Sequence, residues 1–320
     1  MNNQSVRICA AMVLIPCMLA GCGRKEDVVS PDIDVGAGTS MVFTAGSPAG
    51  LKLYKVQGGR IRRYSRISVP DNSSIAVTSD DVSKTRVAVT RKGEISMIDG
   101  EKETRISPLT WHCYGPAFGP AHDQVFFVRS HRLRPYSHGG YVYDQDDLYL
   151  RKSQREAPVR LTHNEFYRMG QPRVIGSTCY FAATPAGENK DQVYRLELSK
   201  GSKPVAITEI KDGQFGLDVD RQNRHIVFIQ GEFSPWCSHY VWNLYLANTD
   251  GTDVRQLTKK QSIVFTPRFS RDGKSIIFLS QKGLDGPFSL WRIDVTGNNE
   301  RMIADSSLFT DPESAGKIEW

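Results

Sequence analysis

Between residues 264 and 304 the chain alternates short apolar or β-branched runs with turn chemistry. The runs are 264–269, 275–280, 289–294 and 300–304, and Asp272-Gly273 and Gly297-Asn298 punctuate them. Four such runs predict four antiparallel strands of one small sheet. A sheet of that size cannot cover both of its faces, so it needs neighbours of the same kind.

The template recurs upstream. Clear copies occupy 214–258 (runs 214–219, 224–229, 243–248 and 254–258) and 114–162 (runs 114–118, 124–128, 147–150 and 159–162). A third copy shows runs at 178–181, 192–196 and 204–208, and weaker copies lie at 75–107 and 41–65. A closing dipeptide sets the ruler: Leu161-Thr162, Ile207-Thr208, Leu257-Thr258 and Ile303-Ala304 recur at intervals of 46, 50 and 46 residues. Ile106-Ser107 lies 55 residues before the first of these. The expected fold is therefore all-β, a six-bladed β-propeller of four-stranded antiparallel blades. The first unit has only three runs, and the C-terminal segment Lys317-Ile318-Glu319-Trp320 is left over. Placing it as the missing inner strand closes the ring without an exposed edge.

The repeat resembles that of TolB-like propellers, through Pro267, Phe269-Ser270, Asp272-Gly273-Lys274, Phe278, Leu290 and Gly297. The resemblance implies architecture; binding scaffolds and enzymes both use such repeats.

Residues 1–21 read as a signal rather than fold. Arg7 precedes an apolar stretch too short to span a bilayer comfortably, and Leu19-Ala20-Gly21-Cys22 ends it. That tetrapeptide resembles the lipobox of bacterial lipoproteins, which implies lipidation at Cys22. Gly23 stands where the family's sorting rule would place Asp for inner-membrane retention, so the resemblance implies an outer-membrane anchor facing the periplasm. Residues 22–39 are polar, with Pro31, Gly36 and Gly38, and read as a tether; 40–320 form the propeller.

Charge narrows the partners. The net charge is +6, mild for this length, and the two signs are interspersed, which argues against nucleic acid. Cys113, Cys179 and Cys237 remain after the signal, in no metal-finger spacing, and read as buried thiols with at most one pair.

Two stretches exceed what a hairpin needs. Residues 130–146 contain His131, Arg132, Arg134, Tyr136, His138, Tyr141 and Tyr143; residues 231–241 contain Trp236, Cys237, His239 and Tyr240. Both join the second and third runs of their units, so propeller connectivity puts them on one face, together with the inter-blade segment holding His163, Tyr167 and Arg168. Long aromatic and basic loops on a rigid scaffold are where recognition concentrates.

The expected partner is an envelope protein or cell-wall polymer, with the membrane engaged through the lipid on Cys22, and with no cofactor, metal or catalytic residue assigned. The alternative is a propeller enzyme of metal-dependent lactonase or polysaccharide lyase type working at the channel mouth, where Glu165, Glu232 and Asp285 supply carboxylates. Asn248 to Asp253 superficially resembles a calcium loop, but it lacks the terminal bidentate Glu and sits where the repeat needs a turn.

Overall fold

The computed structural model describes residues 40–47, 50–57, 60–69, 75–77, 86–121, 123–135, 141–199, 201–211, 216–235, 239–260, 262–281, 288–305 and 318–319. The expected signal and tether lie outside them. Every regular element among the described residues is a strand, and no helix there is long and apolar enough to cross a membrane.

The first sheet contains β1 (Ser40–Ser47), β2 (Gly50–Gln57) and β3 (Arg60–Val69). The second holds β4 (Ile75–Val77), β5 (Val87–Arg91), β6 (Glu94–Asp99) and β7 (Lys102–Arg105), and the third β8 (His112–Phe118), β9 (Val125–Pro135), β10 (Tyr141–Arg151) and β11 (Val159–Arg160). In the fourth are β12 (Arg168–Met169), β13 (Arg173–Ile175), β14 (Thr178–Thr184), β15 (Asp191–Glu197) and β16 (Val205–Ile210). The fifth has β17 (Leu217–Val219), β18 (His225–Ser234), β19 (His239–Asn248) and β20 (Arg255–Gln256). The sixth has β21 (Val264–Phe269), β22 (Ser275–Gln281), β23 (Phe288–Asp294) and β24 (Arg301–Ala304). The last strand, β25 (Ile318–Glu319), returns to pair with β1, Ile318 opposite Phe43 and Glu319 opposite Val42. The order β25-β1-β2-β3 closes the ring as expected.

The expectation of six four-stranded blades is corrected in one respect. Five of the sheets are four-stranded; the fourth holds five strands because its inner strand is broken. Proline is the physical reason, since it cannot donate to the ladder. At Gly115-Pro116 and Thr266-Pro267 the inner strands β8 and β21 merely bulge, with φ of +59° at Gly115 and +46° at Thr266. Around Gln171-Pro172 the interruption separates β12 from β13, both of which pair with β14.

The core lies between neighbouring sheets. Phe126, Val128 and Leu148 of the third meet Phe181 and Leu196 of the fourth, with Phe166 of the segment joining the two sheets between them; Val227, Ile229 and Leu244 of the fifth meet Val264, Phe269 and Phe278 of the sixth. Each such side chain contributes about 2 kcal/mol through area removed from water. Toward the ring axis, polar side chains join the inner strands. Gln171 donates to the carbonyls of Ile75 (2.7 Å) and Pro116 (2.8 Å), while Asp218 accepts from the Phe269 amide at 2.8 Å and pairs with Arg173 at 3.3 Å.

The sequence ruler has a structural cause. Thr162 Oγ1 accepts the Leu148 amide at 2.9 Å and donates to Asp147. Thr258 Oγ1 accepts the Leu244 amide at 3.0 Å and donates to Asn243 at 2.8 Å. Ser107 accepts the Ile95 amide at 2.9 Å. In these three sheets the hydroxyl thus ties the end of the outer strand to the third strand, satisfying a buried amide that would otherwise cost about 1–3 kcal/mol.

Candidate functional site

Both stretches read as long loops are hairpins. Pairing of β9 with β10 keeps one register out to Pro135 opposite Tyr141, interrupted at His131 and Gln145 (φ +59°), and that of β18 with β19 runs unbroken out to Ser234 opposite His239. Two paired arms therefore project from the second-to-third-strand side of the ring. Tyr136 and His138 at one tip, and Trp236 and Cys237 at the other, lie outside the described residues, as does Asp285.

Because successive side chains of a strand point to opposite faces, the third-sheet arm has two unlike sides. One carries Arg132, Arg134 and Asp144. Asp144 is buried, accepts Arg132 Nε at 2.8 Å and Nη2 at 3.0 Å, and also accepts Arg134 Nε. Those guanidiniums, Arg132 first, hold its carboxyl below the ordinary value. Arg134 also donates to Tyr167 Oη at 2.8 Å, its guanidinium 5.3 Å from the ring centroid, which binds the arm to the segment before the fourth sheet.

The other side carries Leu133, Tyr141 and Tyr143, all exposed. Tyr143 stacks on His112 with centroids 3.5 Å apart and planes within 3°. A side chain at Gly93 (φ +78°) would put its Cβ 2.6 Å from His112 Nδ1, so that stack requires glycine there. Burial pushes the His112 imidazole pKa down.

At the base of this arm sit two more buried carboxylates. Asp147 accepts Thr162 Oγ1, Arg160 Nη2 and the Asn164 amide (3.1 Å). His131 Nε2 lies 3.6 Å from it, yet burial and then the charges of Arg129 and Arg160 push the histidine's pKa down. Asp146 accepts Ser130 Oγ (2.6 Å), the Met169 amide (2.9 Å) and the Tyr114 hydroxyl. Burial raises it to about 7 despite those donors.

The remaining candidates separate. Arg168 is held by Thr184 (3.1 Å) and Asp191 (3.3 Å), and His163 is exposed on the inter-blade segment. His239 and Tyr240 stand on the fifth-sheet arm, where Tyr240 meets Phe233 edge-on at 5.8 Å. Phe233 is 57% exposed and Tyr240 49%. Along the same side of that arm Trp242 packs on Phe265 (5.5 Å), and Phe265 on Phe288 (5.4 Å), on the sixth sheet.

Thus Arg132, Arg134 and Tyr167 come together around Asp144, His131 sits apart at the base of the arm beside Asp147, and His239 and Tyr240 belong to a separate arm two sheets further on. Sequence reasoning missed Asp144, Phe233 as partner of Tyr240, and the run through Trp242, Phe265 and Phe288. Alternation of the side chains would have exposed the first two had these stretches been read as strands.

Among the described residues no three His, Cys, Asp or Glu side chains are grouped to hold a metal. Cys113 and Cys179 are buried free thiols, and burial pushes Cys113 up to about 12.

An antiparallel ring of sheets with projecting hairpins defines a β-propeller, and comparison with solved structures refines the class. The fold is similar to TolB from Acinetobacter baumannii (TM-score 0.63, 16% identity, covering 88% of this chain and 66% of that one). It is also similar to putative TolB from Agrobacterium tumefaciens (0.57, 13%, 88% and 96%) and to a chain of a nidogen/laminin complex (0.60, 13%, 88% and 97%). The chain thus has the fold of a TolB-like propeller, and identities this low establish fold alone. No protein-family profile matches the chain, and no curated protein sequence does.

Proposed function

We propose that this protein is a lipid-anchored propeller of the cell envelope that binds a protein or envelope polymer through the face bearing the two arms. Support comes first from the fifth-sheet arm, whose Phe233 and Tyr240 are held in a rigid hairpin yet left about half exposed. Large aromatic groups fixed in place give contact area at low entropic cost, and they continue into Trp242, Phe265 and Phe288 toward the sixth sheet. The Leu19-Ala20-Gly21-Cys22 tetrapeptide supports the anchor and, with Gly23, an outer-membrane location.

Cross-linking in the native cell tests the binding face. Phe233→Ala with Tyr240→Ala should remove envelope partners from the cross-linked set and leave the melting temperature nearly unchanged; an unchanged partner set would end this reading. Cys22→Ser should release the protein from the membrane fraction, and its retention there would remove the anchor.

A further inference from the structure

The interspersed charge of the whole chain hides one exception, and the fold gathers it in one sheet. Residues 40–69 contain Lys52, Lys55, Arg60, Arg62, Arg63 and Arg66 and no Asp or Glu. This basic excess equals the +6 of the entire chain. Those residues are β1, β2 and β3, and the ladder concentrates the charge further. Lys55 is directly opposite Arg62, a like-charge cross-strand pair that destabilises a sheet unless an anion meets it.

Register also places the charge. Ser40, where the chain enters the ring, is opposite Gln57, which is opposite Arg60; Val42 is opposite Lys55, which is opposite Arg62. The entry point and Lys55, Arg60 and Arg62 therefore occupy the same end of the first sheet, the end of the β2–β3 turn. The two arms are second-to-third-strand hairpins and stand at the other end of the ring.

The strand that bears most of this charge is also the outermost. β3 has 10 residues, whereas the outer strands of the other sheets have 2 to 6. Arg63 turns back on the β3 backbone, donating to the carbonyls of Ser65 (2.9 Å) and Arg66 (3.0 Å), which discourages strand pairing at that edge. A charged edge accounts for one or two such residues. It does not account for six basic residues in 40–69 against one acidic residue in the described strands of the sheet, Glu319 of β25 opposite Val42, or for the Lys55/Arg62 pair.

We propose that this basic end of the first sheet docks on an anionic phospholipid surface, seating the ring with both arms facing away from the membrane. The inference rests on the lipid-anchor reading. The stretch from Cys22 to Ser40 spans at most ~60 Å, so an anchor at Cys22 keeps the first sheet close to the bilayer. A lipid chain together with a basic patch is the combination that makes peripheral attachment stable.

The test uses the chain without its first 22 residues, which retains every described strand and has no lipidation site, so its result is separate from the fate of Cys22→Ser. It is co-sedimented with vesicles of phosphatidylcholine alone or mixed with phosphatidylglycerol. Binding is expected only with phosphatidylglycerol, falling about tenfold or more between low and 0.5 M salt as exposed charges are screened. Joint replacement Lys55→Gln, Arg60→Gln and Arg62→Gln should lower the partition coefficient about 100-fold. Equal binding to uncharged vesicles, or binding indifferent to salt, overturns the proposal without any variant. Retention on soluble polyglutamate with no vesicle binding also overturns it and assigns the patch to an acidic polymer.

Discussion

The two arms share a plan and differ in chemistry. Counted from the common Leu-Tyr-Leu motif, Asp147 corresponds to Asn243, Asp146 to Trp242 and Asp144 to Tyr240, while Arg132 on the facing strand corresponds to Phe233. Where one arm has the cross-strand pair Arg132/Asp144, the other has Phe233/Tyr240. The ionic pair satisfies itself and, through Arg134 and Tyr167, fastens its arm to the next sheet. The aromatic pair leaves half of each ring in water. The first arrangement holds a shape, and the second offers a surface.

The widest gap between the arms should appear at their bases. Asp147 and Asn243 do the same work for Thr162 and Thr258, and both are buried, but Asp147 also holds the Arg160 guanidinium in an ion pair. Removing one partner of a buried charge network costs about 3–5 kcal/mol, whereas losing a neutral amide with its bonds costs about 1–2 kcal/mol. Asp147→Ala should therefore lower stability in urea more than twice as much as Asn243→Ala. Equal losses would mean that the charge adds nothing to the tie.

The next difference depends on pH, because only the third-sheet arm has a carboxyl where the other has Trp242. Burial pushes the folded Asp146 carboxyl up to about 7 from the 3.8 of a free side chain. Between those values the folded chain keeps a proton that the unfolded chain has released. The stabilisation is thus complete below about pH 4 and is lost as pH rises through about 7, on the order of 4 kcal/mol in all. Asp146→Asn keeps acceptors for Tyr114 and the Met169 amide and can donate to Ser130, so it should flatten this component of the thermal-melting profile between pH 4 and 8. A variant with the parent's slope would show that the carboxyl ionises at an ordinary pH.

The sheets were legible because turn dipeptides are local and the closing Leu-Thr tie reaches only 14 residues, within one sheet. The closure at Ile318 could be read because a three-run unit and an orphan run leave one economical solution. The broken inner strand around Gln171-Pro172 was not legible, since Arg168-Met169 and Arg173 to Ile175 are too short to show a period. The arms were misread because their alternation is between charge and aromatic ring instead of polar and apolar. Arg132, Leu133, Arg134 looks like loop composition until Asp144 is placed opposite. The basic first sheet is legible as the acid-free stretch 40–69, but the pairing of Lys55 with Arg62 follows only from register.

The smallest effect tests whether the ionic arm is truly fastened. Arg132 is half exposed, so its pair with Asp144 is partly screened, and Asp144→Ala should cost only about 1 kcal/mol globally. Locally the loss should be larger, because two guanidiniums then repel across the hairpin and Arg134 loses the carboxylate that aims it at Tyr167. Amide hydrogen exchange at residues 131–134 and 141–144 should quicken by about tenfold while the base at 125–129 keeps its protection. The fifth-sheet arm should exchange as before, since none of its bonds changes. If the third-sheet arm also keeps its parent rates, the aromatic stack of Tyr143 on His112 holds it without the ions, and the contrast between a fastened arm and an open one fails.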